Sequence, residues 1–436
     1  MEISQLYQLY LDCGQQLTTD SRHCPSGSIF VALKGPSFDG NRFAAAALEK
    51  GCAYAIVDDP ECVPAGDSRY ILTEDALVTY KQLAREHRRQ FHIPVVGITG
   101  TNGKTTTKEL VAAVLAQRYK VVHTEANYNN DVGVPRTLLT FRPDDDIAVV
   151  EMGASHPGDI SKLVEYAEPT CGLITNVGRA HLQGFGSFDG VKRTKGELYD
   201  WLSAHDALLF LNSGDADLVE MAAARPFKRQ VTYAEGLDSD AAVCGEVIAC
   251  DPCLRFRWQT GNATYEVSTH LVGTYNLPNM LAAITVGLHF DVSASLINHA
   301  LEEYRPSNDR SQLTVTTHNR LIVDAYNANP TSMKAALDNF ERMEVSPKMA
   351  ILGDMRELGA ASAEEHRRVV DRLKQLHIDV VWLVGDEFEH IADCPFRRFH
   401  DVSEVRTAIA GHRPEGYCIL IKGSNGDRLF QLPELL

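Results

Sequence analysis

The chain has no long hydrophobic run. Its strongest apolar stretches, such as VVWLV at 380–384, are strand-sized, whereas crossing a bilayer as a helix takes about 20 such residues, so no membrane insertion is expected. No basic residue precedes Arg22, which leaves out the charged start of a secretory signal and makes a cytoplasmic protein the expectation. Positive charge is scarce overall: 42 Lys+Arg against 58 Asp+Glu, a net −16. That balance argues against a general polyanion-binding surface, nucleic acid included. The 10 cysteines have no repeating frame, so a disulfide scaffold is excluded and free thiols in a reducing compartment are expected. The pair Cys250 and Cys253 lacks the second pair or the histidines that a zinc site needs, and it precedes a strand instead of opening a helix. It reads as a hairpin turn. Arg85, His87, Arg88 and Arg89 cluster near the end of a helix predicted over 76–90, where cations complement the carbonyl end of the dipole, and read as a solvated face. No internal repeat or low-complexity tract is visible.

What is present suffices for several cores. A chain of 436 residues, 44% hydrophobic and 23% charged, has ordinary globular composition, and its length suggests two to four domains. The order of elements resolves these into three. Residues 1–92 mix short strands (28–33, 53–57) with helices in a small α/β unit. Residues 93–305 open a parallel α/β alternation whose strand candidates, 95–99, 147–152, 171–177 and 207–212, are continuously apolar, as strands covered on both faces are. Within that unit, 231–272 turns alternating, threonine-rich and aromatic, which predicts an antiparallel portion. After the turn PSNDRS at 306–311, residues 306–436 alternate strands (321–326, 350–355, 380–385, 418–423) with helices from 331, from 362 and near 402. This is a doubly wound, Rossmann-like unit.

The strongest local signal is GITGTNGKTTT at 97–107, a glycine loop between an apolar strand and a helix. Phosphate binding needs that order: backbone N–H groups and the helix N-terminus face the anion, a lysine reaches the β/γ-phosphates, and a hydroxyl meets Mg²⁺. Gly100, Thr101, Asn102, Gly103, Lys104, Thr105 and Thr106 are therefore nucleotide-binding candidates, although Ile98 stands where the generic pattern has its first glycine. Glu151 ends the strand IAVVEM, so its carboxylate projects at the carboxyl edge of a parallel sheet, where ligands bind, and a hard oxygen suits Mg²⁺. His181 follows the strand LITNV in the same way, but taken alone a loop histidine is an ordinary surface residue.

Further segments carry a resemblance. GTNGKTT, TEANYNNDVGVP (124–135), EMGA (151–154), ITNVGRAHLQGFGS (174–187), KGE (195–197) and GTYNLPNMLAA (273–283) resemble, in order and spacing, the central domain of the ATP-dependent Mur ligases and their folylpolyglutamate synthetase relatives. DAYNANPTSMKAAL (324–337), LGDMRELG (352–359) and KGSNGDR (422–428) are similar to the branch that adds D-alanyl-D-alanine to a UDP-linked muramoyl tripeptide. TTDSRHCPSGSIFVALKGPSFDGNRF (18–43) is similar to the UDP-sugar domain of that branch, and the DNPR signature of the preceding enzyme is missing. The resemblance implies a three-domain fold with 1–92 binding the UDP-sugar, 93–305 binding ATP and 306–436 completing the ligase. It implies UDP-N-acetylmuramoyl-tripeptide and D-alanyl-D-alanine as partners, ATP and two Mg²⁺ as cofactors, and a monomer.

The resemblance also assigns roles. Lys104, His181 and Lys195 become the catalytic candidates, and Thr105, Glu151, His181 and a CO₂-carbamylated Lys195 the metal ligands. The alternative for Lys195 is an ordinary lysine paired with Glu197 or another acid. Asn276 and Asn279 are implied to read adenine, or else to cap a helix; Arg310 and Asp324 are implied to contact the nucleotide. Substrate contacts are implied for Ser21, Arg22, Asp39, Asn41, Asn127, Asn130 and Ser155, and for Tyr326, Asn327 and Asn329 at the dipeptide end. The asparagines could equally be turn residues. Asp309 replaces the usual glycine before the arginine that opens the third domain, and the ending RLFQLPELL departs from the family's acidic tail. The rival readings are a folylpolyglutamate-type ligase and a nucleotide-dependent switch that does not ligate.

Overall fold

A computed structural model describes residues 1–306 and 310–436; Asp309 and half of the predicted turn lie outside them. Among the described residues no helix is long and apolar enough to cross a membrane. The fold is α/β throughout. The N-terminal unit carries a parallel sheet in the order Leu17–Thr18, Ile29–Val31, Tyr54–Val57 and Tyr70–Leu72. The helix Ala76–Arg89 then packs against the next unit. Here the expected solvated basic face is corrected. His87 is fully buried, with Tyr7 Oη on Nδ1 and Phe141 O on Nε2, both at 3.1 Å. Arg88 is buried too and donates to the carbonyls of Ala167, Phe91 and Glu168, while Arg85 and Arg89 pair with Glu168. His87 and Arg88 thus serve carbonyls of the second domain, while Arg89 stays exposed.

The central sheet runs Gln230–Glu235, Leu208–Asn212, Cys171–Ile174, Val95–Thr99, Ile147–Glu151, Val121–His123, all parallel. Every residue of Val95–Thr99 and Ile147–Glu151 is buried, since helices cover both faces. The strand Gln230–Glu235, expected in the antiparallel portion, joins the parallel ladder; the antiparallel ribbon is Val243–Cys250, Cys253–Thr260 and Ala263–Val272. Cys250 and Cys253 sit at its first turn as free thiols.

The third unit has parallel strands in the order Arg320–Asp324, Cys418–Lys422, Lys348–Gly353, Val380–Val384, Arg397–Phe399, with buried clusters on both faces. An edge strand, Gln312–Val315, runs antiparallel to Arg320–Asp324 and meets the ribbon at one residue pair, Leu271 with Gln312, where Val272 N also donates to Ser311 O (3.1 Å). The two sheets are thus continuous. The ending packs: Leu429, Leu432 and Leu436 are buried, and Leu436 O accepts from Asn319 Nδ2 (2.6 Å) and Thr316 Oγ1 (3.1 Å).

Candidate active site

In the central sheet the chain leaves Val95–Thr99 to one side for Val121–His123 and Ile147–Glu151, then crosses to Cys171–Ile174 on the other. Loops diverge at such a switch point and open a crevice at the carboxyl edge. The crevice is a cavity of about 910 Å³, walled by the loops after these strands and faced by the third domain.

The glycine loop forms its floor. Gly100 (φ +144°) and Gly103 (φ +76°) take backbone that side chains avoid. Space forbids a side chain as well: a Cβ on Gly100 would lie 2.0 Å from Thr175 Oγ1, and one on Gly103 would lie 2.6 Å from Asn279 Oδ1. Thr175 Oγ1 donates to Asn102 O (2.6 Å), and Asn176 both accepts from Asn102 N and donates to Asn102 O (3.0 Å each). Gly103 ends the loop as N-cap of the helix Lys104–Leu115, whose free N–H groups suit an anion. Lys104 curls back, donating to Gly100 O (2.8 Å) and Thr101 O (3.0 Å). Burial pushes its ammonium down to about 8, with Glu151 opposing and Arg310 adding to the shift.

Glu151 is fully buried. Its Oε1 accepts from Thr105 Oγ1 (3.1 Å) and Asn129 Nδ2 (2.7 Å), while Oε2 has no hydrogen-bond partner among the described residues. A buried carboxylate oxygen without a donor is expensive unless a cation takes it, so the pair Thr105–Glu151 fits Mg²⁺. His181 lines the cavity in left-handed backbone (φ +49°) ahead of the helix Leu182–Phe185. Its Nδ1 contacts the carboxylate of Glu357 in the third domain, without the alignment of a hydrogen bond. The imidazole holds the Glu357 carboxyl below the ordinary carboxylate range.

Lys195 and Thr105 are buried behind the wall instead of lining it. Lys195, on the helix Phe188–Ala204, is 2% exposed and makes no ion pair among the described residues; its Nζ lies 5.6 Å from the Phe185 ring centre. Burial, then the charge of Lys104, drive its ammonium far below the usual lysine range, and Asp159, Glu197 and Glu151 offset this only in part. The alternative, a pairing with Glu197 or another acid, does not form among the described residues. The Glu197 carboxylate accepts from Gly158 N and Ser161 N (2.8 Å each), at the start of the helix Asp159–Ala167 where backbone donors lack partners.

Asn276 and Asn279 line the cavity in a relay: Asn276 Nδ2 donates to Val272 O (2.9 Å), Asn279 Nδ2 to Asn276 Oδ1 (2.9 Å), and Thr107 Oγ1 to Asn279 Oδ1 (3.0 Å). Asn127, Asn130 and Ser155 line it too; Asn130 Oδ1 also holds its turn by accepting from Val132 N and Gly133 N. From the third domain come Arg310, Asp324, Tyr326 and Asn327. The Arg310 guanidinium stacks 3.9 Å from the Tyr326 ring centre, and its buried Nε has no partner among the described residues. Asp324 Oδ2 pairs with Lys422 Nζ (2.6 Å). Asn329 does not line the cavity: its Oδ1 caps the helix Pro330–Arg342 by accepting from Ser332 N (2.9 Å), and its Nδ2 donates across the domain seam to Asn102 Oδ1 (2.7 Å).

Ser21, Arg22, Asp39 and Asn41 are not brought to this cavity. Arg22, its side chain 88% exposed, is engaged by Asp20, and Asn41 is buried between Asp39 and Asp58. Thr175, Asn176, Glu357 and Lys422 are site residues that reading the sequence did not single out. For Lys422 the signal was there, a charge closing the apolar strand CILIK exactly as Glu151 closes IAVVE.

Comparison with known proteins agrees with this geometry. Residues 98–287 match the Mur ligase middle domain, 309–425 the Mur ligase, glutamate ligase domain, and 15–125 the Mur ligase family, catalytic domain. The UDP-N-acetylmuramoyl-tripeptide--D-alanyl-D-alanine ligase of Bacillus subtilis is 32% identical over 426 residues, covering 95% of this chain and 92% of that one. Its counterpart from Synechocystis is 37% identical over 376 residues, 85% and 79% of the two. The crystal structure of MurF ligase from Thermotoga maritima in complex with ADP superposes with a TM-score of 0.86 at 26% identity, covering 97% of each chain. A P-loop crevice faced by a third domain, matched in sequence across all three units, leaves one assignment: the chain belongs to the Mur ligase family.

Proposed function

We propose that this protein is an ATP-dependent ligase that joins D-alanyl-D-alanine to the terminal carboxylate of UDP-N-acetylmuramoyl-tripeptide, giving the pentapeptide precursor of peptidoglycan, ADP and phosphate. The observation that carries the reading is one cavity in which the P-loop, the buried Glu151 and the Arg310–Tyr326–Asp324 cluster face one another. The names of the relatives support the choice of substrates. Use of ATP and amino-sugar nucleotides supports a cytoplasmic reading.

A carboxylate is a poor electrophile, so it must first be activated. Its oxygen attacks the γ-phosphorus, ADP leaves and an acyl phosphate forms; the free amine of the dipeptide then attacks the acyl carbon and phosphate leaves. The first step brings two anions together. Lys104 swings from the Gly100 and Thr101 carbonyls onto the β/γ-phosphates, and the N–H groups at the start of Lys104–Leu115 cradle them. Two Mg²⁺ would be held by Thr105 and Glu151 and by His181 with carbamylated Lys195, and when bound they supply the charge neutralisation this approach demands. Lys195 fits carbamylation because burial favours its neutral amine, the form that reacts with CO₂. Asn276 and Asn279 face adenine, Arg310 and Asp324 the rest of the nucleotide, and Tyr326 and Asn327 the dipeptide. Asn127, Asn130 and Ser155 face the muramoyl peptide, whose UDP end lies toward Ser21, Arg22, Asp39 and Asn41. The third domain excludes water, which would hydrolyse the acyl phosphate.

Phosphate release with ATP, UDP-N-acetylmuramoyl-tripeptide and D-alanyl-D-alanine tests the reading, with mass measurement of the product. Turnover should need both co-substrates, and the product should carry the dipeptide. Turnover independent of either, or addition of a single amino acid in place of the dipeptide, would overturn it.

A further inference from the structure

Glu357 lies in the third-domain loop LGDMRELG, after the strand Lys348–Gly353, where that domain reaches the central one. Its carboxylate Oε2 meets His181 Nδ1, and its carbonyl accepts from Gln183 N (3.3 Å). Both residues hold left-handed backbone, φ +65° for Glu357 and +49° for His181. Non-glycine residues persist there only where the surroundings over-determine them. Here the two loops determine one another, for Gly359 packs so closely on Gln183 that a Cβ would sit 3.3 Å from its Cβ.

Other contacts cross the seam, among them Arg179 N to Thr331 Oγ1 (3.2 Å), Arg179 Nη1 to Glu365 Oε1 (3.4 Å) and Asn329 to Asn102. Those would serve docking alone, since none touches His181. An imidazole whose Nδ1 faces a carboxylate keeps its proton there and leaves the Nε2 lone pair free, and the partner also fixes the plane of the ring.

We propose that Glu357 is a positioning residue for His181: it sets the tautomer and orientation of the imidazole from across the domain seam, so that His181 presents Nε2 to the cavity only while the third domain is docked. The proposal rests on the ligase reading of the cavity given above.

The test uses the full chain with Glu357→Ala, Glu357→Gln and, as control, Glu364→Ala. Glu357 and Glu364 side chains are 59% and 67% exposed, so truncation spares the core. In nucleotide-free protein, ¹⁵N imidazole spectra should show His181 protonated on Nδ1, and Glu357→Ala should release that preference toward the Nε2-protonated form. In steady state, Glu357→Ala should lower kcat about 10- to 100-fold, the usual loss when the carboxylate behind such a histidine is removed. KM for ATP and dipeptide should stay within about twofold, Glu357→Gln should recover part of kcat through its amide oxygen, and Glu364→Ala should match wild type. Adding Glu357→Ala to His181→Ala should cause no further loss. An unchanged tautomer, losses that multiply in the double variant, or an effect confined to KM would overturn the proposal. If the wild type fails to join the dipeptide while the tautomer still depends on Glu357, the ligase reading falls and the positioning stands.

Discussion

Replacing Gly100 by alanine tests the account of the P-loop with a single methyl group. At φ +144° any side chain is strained, by about 1–3 kcal/mol. The new Cβ would also fall 2.0 Å from Thr175 Oγ1 and 3.0 Å from Thr175 N, so Thr175 must move and give up its 2.6 Å hydrogen bond to Asn102 O, a further loss of about 1 kcal/mol. Together these predict about 3 kcal/mol of destabilisation, which for a domain of this size lowers its melting point by about 6–12 °C. Nucleotide affinity should fall as well, because Asn102 anchors the loop. Thermal melting and titration with ADP measure the two effects. The second substitution Thr175→Ala removes the nearest clashing atom, so the double variant should be more stable than the sum of the single changes by about 1 kcal/mol. A loss below about 0.5 kcal/mol for Gly100→Ala, the size of a neutral surface change, or strict additivity in the double variant, would refute the reasoning.

Three further outcomes are expected. Lys195→Ala should be inactive and regain part of its turnover in acetate or formate, which replace the anionic end of a carbamate; unchanged activity in the variant would dismiss that role. In nucleotide-free protein, Lys104 has its pKa lowered from 10.5 to about 8, so its half-buried charge destabilises the fold fully below pH 8 and progressively less as pH rises to 10.5. Lys104→Met should accordingly stabilise the protein at pH 7, by at most about 3 kcal/mol, and the gain should shrink toward pH 10.5 in denaturant titrations; a gain independent of pH would contradict this. Asn329→Ala removes both a helix cap and the bridge to Asn102 and should lower stability by about 1–2 kcal/mol, whereas a melting point equal to wild type would show that neither contact matters.

The glycine loop and Glu151 could be read in advance because strand, turn and helix start are contiguous, and a charge closing an apolar strand has nowhere to go but the sheet edge. Glu357 escaped notice because it acquires its role from a distant partner, His181. His87 and Arg88 were misread for a related reason: a basic helix end looks alike in sequence whether water or a neighbouring domain covers it. The strand Gln230–Glu235 has the alternating texture of a half-exposed strand, which specifies a face but not the direction of its neighbour. Asn329 shows the same limit at one residue, since an asparagine before proline announces a helix start without saying what its free amide will reach.

The seam between the second and third sheets is only one residue pair wide, Leu271 with Gln312. Beyond that pair the docking of the third domain rests on side-chain contacts such as Asn329 with Asn102 and Arg179 with Glu365. Asp324 and Lys422 end neighbouring strands of the third-domain sheet and Tyr326 follows one of them, so a rotation at that seam would carry all three together without unravelling either flanking ladder. A small molecule wedged at that joint would part the third-domain residues of the cavity, Arg310, Asp324 and Tyr326, from the P-loop without competing with a reactant for them.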